Sequence, residues 1–285
     1  MIDRSRVPAG LRCASPVMLF LLLGCVAPLL MVIGYAFTEP KSFDILSSFT
    51  FENFATVLSP SGTLWTSFAW SIGLALACTA LLAVIAYPIA YGLNIVFGRW
   101  SSLVSILFVF PLFVSENVRL YGWVQFFIKG GVLDGILKFF GWGAPEVLYS
   151  PGISLFGMLY VYLPFMLFPM SLGLAMVPRD LIDAASDLGA SRLMIWREVE
   201  LPLAMPGILI GLLLTFVLSV GAVAVAKILG GQSVIPVVHD IEIAFTYAQN
   251  WPLGAALALI LVLIIGVLTI RTLAKIDLDR MLGGR

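Results

Sequence analysis

The sequence predicts an all-α polytopic membrane protein with six transmembrane helices and both termini in the cytoplasm. Hydrophobic residues make up 61% of the 285 residues and charged residues only 11%, which lies far outside the range of soluble domains. Long intervals without charge alternate along the chain with short charged connections. Lysine and arginine are distributed unequally between these connections, which allows an orientation to be assigned.

Six apolar stretches are long enough, or nearly so, to cross a hydrocarbon core, which needs about 20 residues. Five of them lie in charge-free intervals of 26 residues or more. The third is the exception, because only 16 residues separate Arg99 from Glu116. We expect this span to continue to about Gln125, with a bend at Pro111. The six spans lie at about 16–38, 66–92, 101–126, 152–177, 204–227 and 253–271.

Apolar patterns define two further features of the chain. The first apolar run, from Pro16 to Phe37, is longer than the core of a secretory signal, and no small-x-small cleavage site follows it. We therefore interpret it as an uncleaved anchor. Between the third and fourth spans, apolar residues at helical spacing predict a short amphipathic helix on the outer face. These residues are Val132, Ile136, Leu137 and Phe140.

The positive charges favour cytoplasmic termini, since lysine and arginine near span ends concentrate on the cytoplasmic side. In this orientation eleven of the 16 lysine and arginine residues are cytoplasmic and five are external, and the reverse orientation inverts the ratio. The cytoplasmic set is Arg4, Arg6, Arg12, Arg99, Arg179, Arg192, Arg197, Arg271, Lys275, Arg280 and Arg285. The external set is Lys41, Arg119, Lys129, Lys138 and Lys227.

The chain divides into three parts by this pattern. Residues 1–65 hold an N-terminal tail, the first span and an external loop, and residues 66–275 form a core of five spans. Residues 276–285 are a cytoplasmic C-terminal tail. The core includes one charged connection, residues 178–203, which the orientation places in the cytoplasm.

The connection 178–203 is the most informative part of the sequence. It holds eight ionised side chains, and moving them through lipid would cost on the order of 20 kcal/mol at roughly 3 kcal/mol each. Residues that commonly start and end helices predict two short helices in this connection. Asp180 is a good N-cap for the first helix, and Gly189 is placed to end it. Ser191 can cap the second helix, which we expect Pro202 to stop.

This connection has the character of a docking surface. The small side chains of Ala184 and Ala185 allow another protein to approach closely, and Asp183 offers a partner for an arginine. Neither a nucleophile nor a metal ligand is among these residues. We therefore predict no catalytic residue and no metal site in this segment.

The same residues resemble a known family. The pattern Asp183-Ala184-Ala185, three residues, Gly189, nine residues, and Val199-x-Leu201-Pro202 resembles the EAA loop of the membrane subunits of binding-protein-dependent ABC importers. Asp183 stands where the family usually has glutamate, and Val199 where it often has isoleucine. Other motifs, within about residues 65–275, resemble the spermidine/putrescine permease branch. They are Pro111-Leu112, Arg119-x-Tyr121-x-Trp123, Leu163-Pro164-Phe165, Leu229-Gly230-Gly231 and Asn250-Trp251-Pro252.

The resemblance implies a type I importer permease in a bacterial inner membrane that moves a small solute by alternating access. A polyamine such as spermidine or putrescine is the candidate that this branch of the family suggests. The resemblance also implies two ABC ATPase subunits, which bind the ATP, a second permease in a heterodimer, and a periplasmic solute-binding protein. In this family the first helix of the loop couples to an ATPase. The implied coupling residues are Asp183, Ala184, Ala185 and Gly189, with Leu201 and Pro202 linking them to the fifth span.

For two groups of residues the sequence is consistent with two structural roles. Glu116 and Arg119 either pair with each other at the outer membrane boundary or, with Tyr121 and Trp123, line the translocation path. The Gly207-x-x-x-Gly211 pattern favours close helix packing, either inside the chain or against the partner permease.

The sequence does not contain the residues that other classes of membrane protein would require. The spans carry almost no titratable groups, so an intramembrane enzyme is not predicted, and no Gly-rich loop with a lysine is present to bind ATP. We expect no cofactor and no nucleic-acid partner. The alternatives kept are a different cargo, organic or metal ion, and an ion-coupled secondary transporter. The latter would need inverted repeats and carboxylates within spans, and neither is visible.

Overall fold

The computed structural model describes residues 9–44, 48–59, 63–143, 146–231 and 233–274, and these residues form helices and connections without a β-strand. The predicted C-terminal tail, residues 276–285, lies outside the described residues. The long helices are α1 (Ala9–Ala36), α3 (Leu64–Tyr91), α7 (Pro151–Ala175), α10 (Leu201–Val220) and α13 (Trp251–Leu273). The short helices are α2 (Glu52–Leu58), α4 (Ser101–Val109), α5 (Glu116–Phe127), α6 (Val132–Phe139), α8 (Arg179–Asp187), α9 (Arg192–Ile195), α11 (Val223–Ile228) and α12 (Val237–Thr246).

The helices confirm the predicted spans, with one of them broken. Five described helices are long and apolar enough to cross a membrane, and a sixth span is formed if a bent helix pair is counted as one. The predicted amphipathic helix is present as α6. Helix lengths follow from the charge-free intervals, because a backbone in lipid must satisfy its own hydrogen bonds.

The broken span bends by 97° between Gly98–Phe113 and Glu116–Phe139. The bend does not lie at Pro111, as predicted, but at Val114 and Ser115, whose backbones are extended. The helical stretch continues through Pro111 in a 3₁₀ turn to Phe113, so the proline is accommodated without the bend that was predicted there.

The fifth span begins earlier than predicted. A continuous helical stretch runs from Arg192 to Val220, and a separate helix follows after Gly221. Pro202 does not stop the second short helix, because a π-helical turn, Trp196–Glu200, precedes it. In that turn the Leu201 N–H bonds to the carbonyl of Trp196, five residues back, and the wider register accommodates the proline.

The chain forms two compact units. One comprises Met1–Trp65 and Asp240–Leu263, and its buried centre includes Ala36, Ala255 and Ala256. In this unit the buried Asn53 side-chain amide donates to the carbonyls of Ala36 and Thr38, at 3.2 and 2.7 Å. These bonds hold the residues that follow α1 against α2.

The second unit comprises Thr66–His239 and Ile264–Arg285 and has the larger core. Residues of α3, α7 and α10 fill it, among them Leu82, Met166, Met170 and Ala204, all at most 1% exposed. This core supports every candidate functional residue described below.

Helices α7 and α10 meet at three glycines. A Cβ atom on Gly207 would lie 2.4 Å from the carbonyl oxygen of Pro169 and 2.5 Å from the Cα of Gly173. A Cβ on Gly211 would lie 2.9 Å from the carbonyl oxygen of Met166. The internal interpretation of the Gly207-x-x-x-Gly211 pattern is therefore confirmed, since both glycines allow backbone contact within this chain.

Candidate functional site

Helix α8, the first helix of the connection 178–203, begins at Arg179, directly after Pro178. The prediction that Asp180 caps it was wrong. Pro178 occupies the N-cap position and no side chain bonds to the free N–H groups there. The helix starts two residues earlier than expected, so Asp180 lies in the first turn, where a negative charge interacts favourably with the helix dipole.

The end of α8 follows the prediction closely. Gly189 has a φ of +84°, in the left-handed region. Its N–H bonds to the carbonyl of Ser186 at 2.9 Å, and the Ala190 N–H bonds to the carbonyl of Ala185 at 3.0 Å. These two bonds form a Schellman motif, which closes the helix and turns the chain toward α9.

Replacing Gly189 by alanine is expected to loosen this turn. An added Cβ meets no atom within 4 Å, so the cost arises only from the left-handed backbone, which costs an L-residue about 1 kcal/mol. Protection of the amides of Gly189 and Ala190 against hydrogen exchange should fall by about fivefold. Gly189→Asn is the matched control, because asparagine tolerates this conformation; an equal loss in both variants would contradict the explanation.

The second short helix is capped as predicted. The Ser191 hydroxyl accepts a hydrogen bond from the Met194 N–H at 3.3 Å. Because α9, the π turn and α10 are continuous, the connection leads directly into the fifth span. Leu201 is half-buried against the core and Pro202 is exposed, both in the first turn of α10.

An apolar surface projects from this otherwise charged segment. Leu188 is 89% exposed and Leu193 71% exposed. We use the term coupling surface for Leu181, Asp183, Ala184, Leu188, Leu193 and Met194, which are all exposed. Ala185 is half-buried, and the neighbouring Ile182 packs against the core instead. A clustered exposed patch of large apolar side chains is typical of an interaction site.

The connection 178–203, which we call the coupling segment after its expected role, is attached to the core by polar contacts. The indole N–H of Trp196 donates to the hydroxyl of Tyr87 in α3, and the two rings meet edge to face. The Asn94 amide, in the π-helical turn after α3, donates to the Ser171 carbonyl at 3.0 Å. Arg179 donates to the Asn94 carbonyl at 3.4 Å. No sequence motif suggested these contacts, although polar side chains in long apolar helices were a usable signal.

A cavity of about 750 Å³ lies at the bend of the broken span. Glu116 and Arg119 contribute to its lining, together with residues of α7 and α10 such as Tyr162, Phe165 and Leu218. The sequence did not indicate these last three, because they are distant along the chain from the bend.

The other two predicted path residues lie outside the cavity lining. Tyr121 is 60% exposed. Trp123 belongs to an aromatic cluster, with its ring centroid 4.7 Å from that of Phe156 and 5.4 Å from that of Tyr160. Trp123 therefore supports the ring of Tyr160, on which Arg119 rests.

Glu116 and Arg119 do not form a close ion pair. Their charged atoms lie beyond the 4.0 Å of a salt bridge, and the Arg119 guanidinium instead lies 5.6 Å from the centre of the Tyr160 ring. The Nε and Nη1 atoms of Arg119 are buried without a hydrogen-bond partner among the described residues. The cavity therefore contains a carboxylate and a guanidinium that do not neutralise each other by direct contact.

Within the described ranges no group of three or more His, Cys, Asp or Glu side chains could hold a metal ion. Several long apolar helices, a charged connection between two of them and a cavity at a broken span are features of a multi-pass membrane protein.

The family of this protein is shown by comparison with known sequences. Residues 84–281 match the model of the binding-protein-dependent transport system inner membrane component family. The chain belongs to this family and is the inner-membrane permease subunit of an ABC importer. This membership removes the alternative of an ion-coupled secondary transporter.

Similar proteins of known name agree with this assignment. The spermidine/putrescine transport system permease protein PotB of Escherichia coli (strain K12) is 29% identical over 252 residues, which cover 87% of this chain and 91% of that protein. PotB of Haemophilus influenzae is 30% identical, with 87% of each chain covered. The E. coli inner membrane ABC transporter permease protein YdcU is 29% identical over 77% of this chain and 78% of its own length.

Solved structures share the fold. A bacterial ABC transporter involved in the import of the acidic polysaccharide alginate superposes with a TM-score of 0.69, at 17% identity, over 90% of this chain and 91% of that chain. The bacterial alginate transporter in complex with a periplasmic protein bound to an alginate pentasaccharide gives a TM-score of 0.74, at 16% identity, over 92% and 91%. The resemblance to this importer fold, expected from the sequence motifs, is confirmed.

Proposed function

We propose that residues 178–203 form the cytoplasmic coupling loop of this permease and that the coupling surface docks on an ABC ATPase subunit. The apolar side chains Leu188 and Leu193 supply the buried contact, and Asp183 supplies a charge for an arginine of the ATPase. The excess of lysine and arginine on this side of the predicted spans supports the cytoplasmic orientation.

The contacts within the coupling residues support separate roles. Asp183 and Ala184 are exposed and contact the ATPase, whereas Ala185 and Gly189 close the helix end through the Schellman bonds. Leu201 and Pro202, in the first turn of α10, pass the displacement of the loop into the fifth span. A rigid connection of this kind converts closure of the ATPases into rotation of helices.

The proposed assembly contains two ATPase subunits, a second, different permease subunit and a periplasmic solute-binding protein. Energy must come from a partner, because this sequence has no phosphate-binding loop of its own. The similarity to an alginate transporter that forms a complex with a periplasmic protein supports a partner of that kind.

The proposed cargo is a polyamine such as spermidine or putrescine, on the basis of the PotB relatives. Another small organic solute or a metal ion is the alternative. We further propose that the cavity at Glu116 and Arg119 belongs to the translocation path. Its carboxylate offers a charge for an ammonium group, and the rings of Tyr162 and Phe165 offer faces for cation–π contact. The Arg119 guanidinium lies over the ring of Tyr160, which packs against Trp123. Tyr121 is exposed and does not line the cavity.

The exposed apolar coupling surface on a charged segment is the observation that carries the proposal. The test is reconstitution of the complete transporter in vesicles, with uptake measured for a panel of spermidine, putrescine, amino acids and divalent cations. ATP-dependent uptake that requires the binding protein is the expected result, with a polyamine preferred. Failure of any ATPase to co-purify with this chain would overturn the coupling assignment, and uptake of a different solute class would replace the cargo.

Replacing Glu116 by glutamine is expected to weaken polyamine transport. The change removes the carboxylate charge of the cavity and keeps its size, and a hydrogen bond to a charged group contributes about 1.5–3 kcal/mol, or roughly 10- to 100-fold in kcat/KM. Tyr121→Phe is the control, since Tyr121 does not line the cavity. Unchanged transport by Glu116→Gln at normal abundance would remove the cavity from the path.

A further inference from the structure

The coupling segment is joined by the backbone to α7 at one end and to α10 at the other, and it contacts the end of α3 through side chains. Through the continuous helical stretch Arg192–Val220, a displacement of α9 reaches the fifth span along the backbone. Helix α3 has no such route, because Tyr87 and Trp196 are 109 residues apart in the sequence. The contact between these two side chains therefore connects the coupling segment directly to α3, together with the bond from Arg179 to Asn94 just beyond α3.

The contact is specific in its geometry. Both side chains are half-buried, the indole N–H of Trp196 donates to the Tyr87 hydroxyl, and the ring centroids lie 6.1 Å apart at an interplanar angle of 82°. An edge-to-face pair with a shared hydrogen bond resists both sliding and rotation of one ring against the other. Each ring is also held by its own helix, Tyr87 near the end of α3 and Trp196 at the start of the π turn.

A second group of bonds holds the same end of α3. The Asn94 side-chain amide donates to the Ala90 carbonyl at 2.9 Å and to the Ser171 hydroxyl at 2.9 Å. The Asn94 backbone carbonyl accepts from Arg179, the first residue of α8. Helix α8 is thus bonded to Asn94 in the π-helical turn that follows α3, and the π-helical turn that follows α9 is bonded to Tyr87 in α3.

Both bonded positions coincide with irregular helix. Asn94 lies in the π-helical turn Gly92–Val96, and Trp196 opens the π-helical turn Trp196–Glu200. Such turns have poorer hydrogen-bond geometry than an α-helix and deform more readily. Side-chain bonds at these turns limit how much of a displacement of the coupling segment is absorbed there before it reaches α3.

We propose that Tyr87 and Trp196 are positioning residues that make α3 move together with α10 when the coupling surface is displaced, an inference that rests on the proposed coupling function. The Asn94 bonds hold the end of α3 in register for this contact. Loss of the Trp196–Tyr87 bond leaves the ATPase docked but weakens the transmission of its closure to α3, while α7 and α10 still receive it through the backbone. ATP hydrolysis then continues with less solute moved per ATP.

The test compares Tyr87→Phe, Trp196→Phe and the double variant in the reconstituted transporter. Tyr87→Phe removes one oxygen atom and Trp196→Phe removes the indole N–H, so each deletes the bond. Each single variant should lower the number of solute molecules moved per ATP by about fivefold, the effect of one net hydrogen bond. The double variant should be no worse than either single variant, because both delete the same interaction.

Matched controls separate this role from a general structural one. Tyr91→Phe changes the half-buried tyrosine one turn further along α3, and Trp100→Phe changes an exposed tryptophan. Both controls should keep the normal ratio of transport to hydrolysis. If Trp196→Phe reduces the amount of protein in the membrane, the ratio of transport to hydrolysis in Tyr87→Phe alone is used as the test.

The proposal is overturned if both single variants keep the normal ratio, or if the double variant shows the sum of two independent losses. It is also overturned if ATPase capture and transport fall in parallel, since that result describes a docking defect. An ATPase that does not bind even the wild-type chain would instead refute the proposed function, and this outcome is recognised before any variant is compared.

Discussion

Leu188→Glu is expected to abolish ATP-driven transport while leaving the protein in the membrane at its normal level. Leu188 is 89% exposed at the end of α8, so its replacement removes no contact within the chain. In the proposed complex the same side chain enters the interface with the ATPase. Burying a leucine contributes about 1.5–3 kcal/mol, and an unpaired buried carboxylate costs more than this gain.

The combined penalty corresponds to a loss of transport of at least about 100-fold, measured as uptake in vesicles. Capture of the ATPase by the purified permease should fall in the same proportion. Leu188→Met is the matched control, since it keeps the apolar volume and should retain most activity. Normal uptake by Leu188→Glu would show that α8 does not enter an interface with the motor subunit.

Gly207→Val is expected to prevent folding of the second unit. The new Cβ would lie 2.4 Å from the Pro169 carbonyl oxygen and 2.5 Å from the Gly173 Cα. Both are backbone atoms, so no flexible side chain can move aside, and α7 and α10 must separate. Overpacking typically costs 1–3 kcal/mol, and we expect more than about 4 kcal/mol where two backbones are in contact.

The measurement is the amount of detergent-extracted protein that remains monodisperse, together with its thermal unfolding. Gly73→Val in α3 and Gly266→Val in α13 are the controls, because a Cβ at either position meets no atom within 4 Å. Both should give near-normal yield, since valine is tolerated in an apolar helix within lipid. A stable Gly207→Val protein would mean that the two helices do not pack as described.

The parts of the fold that were predictable from the sequence depend on local physics. The spans follow from the cost of placing charge in lipid, and the end of α8 at Gly189 follows from the freedom of glycine to adopt a positive φ. Ser191 caps α9 as predicted, because its hydroxyl accepts a hydrogen bond from the N–H three residues ahead. Each of these is a free-energy difference within one short segment.

The incorrect predictions share a different cause. Asp180 was expected as a cap, but the chain enters α8 through Pro178 and the helix starts two residues earlier. Pro202 was expected to stop a helix, but a π turn continues the helical stretch into α10. In both cases one residue was read by its usual local effect, and the folded chain shifted the helix start or the hydrogen-bond register instead.

The candidate sites show the same division. The connection 178–203 stood out in the sequence because its charges and family-like motif lie within 26 residues, and its role in coupling remains a prediction. The cavity was only half predicted: Glu116 and Arg119 line it, while Tyr121 and Trp123 do not. Its other walls come from α7 and α10, which approach the bend only in the folded chain.

By itself, therefore, the sequence determined the class of protein, the number of spans and the position of the charged connection 178–203. These properties are sums of transfer free energies and capping preferences along the chain. The tertiary structure alone decided where the third span bends, which side chains surround Glu116, and that Trp196 bonds to Tyr87. The surroundings of Glu116 and the Trp196–Tyr87 bond depend on side chains far apart in the sequence that meet in the folded chain, which no local preference encodes.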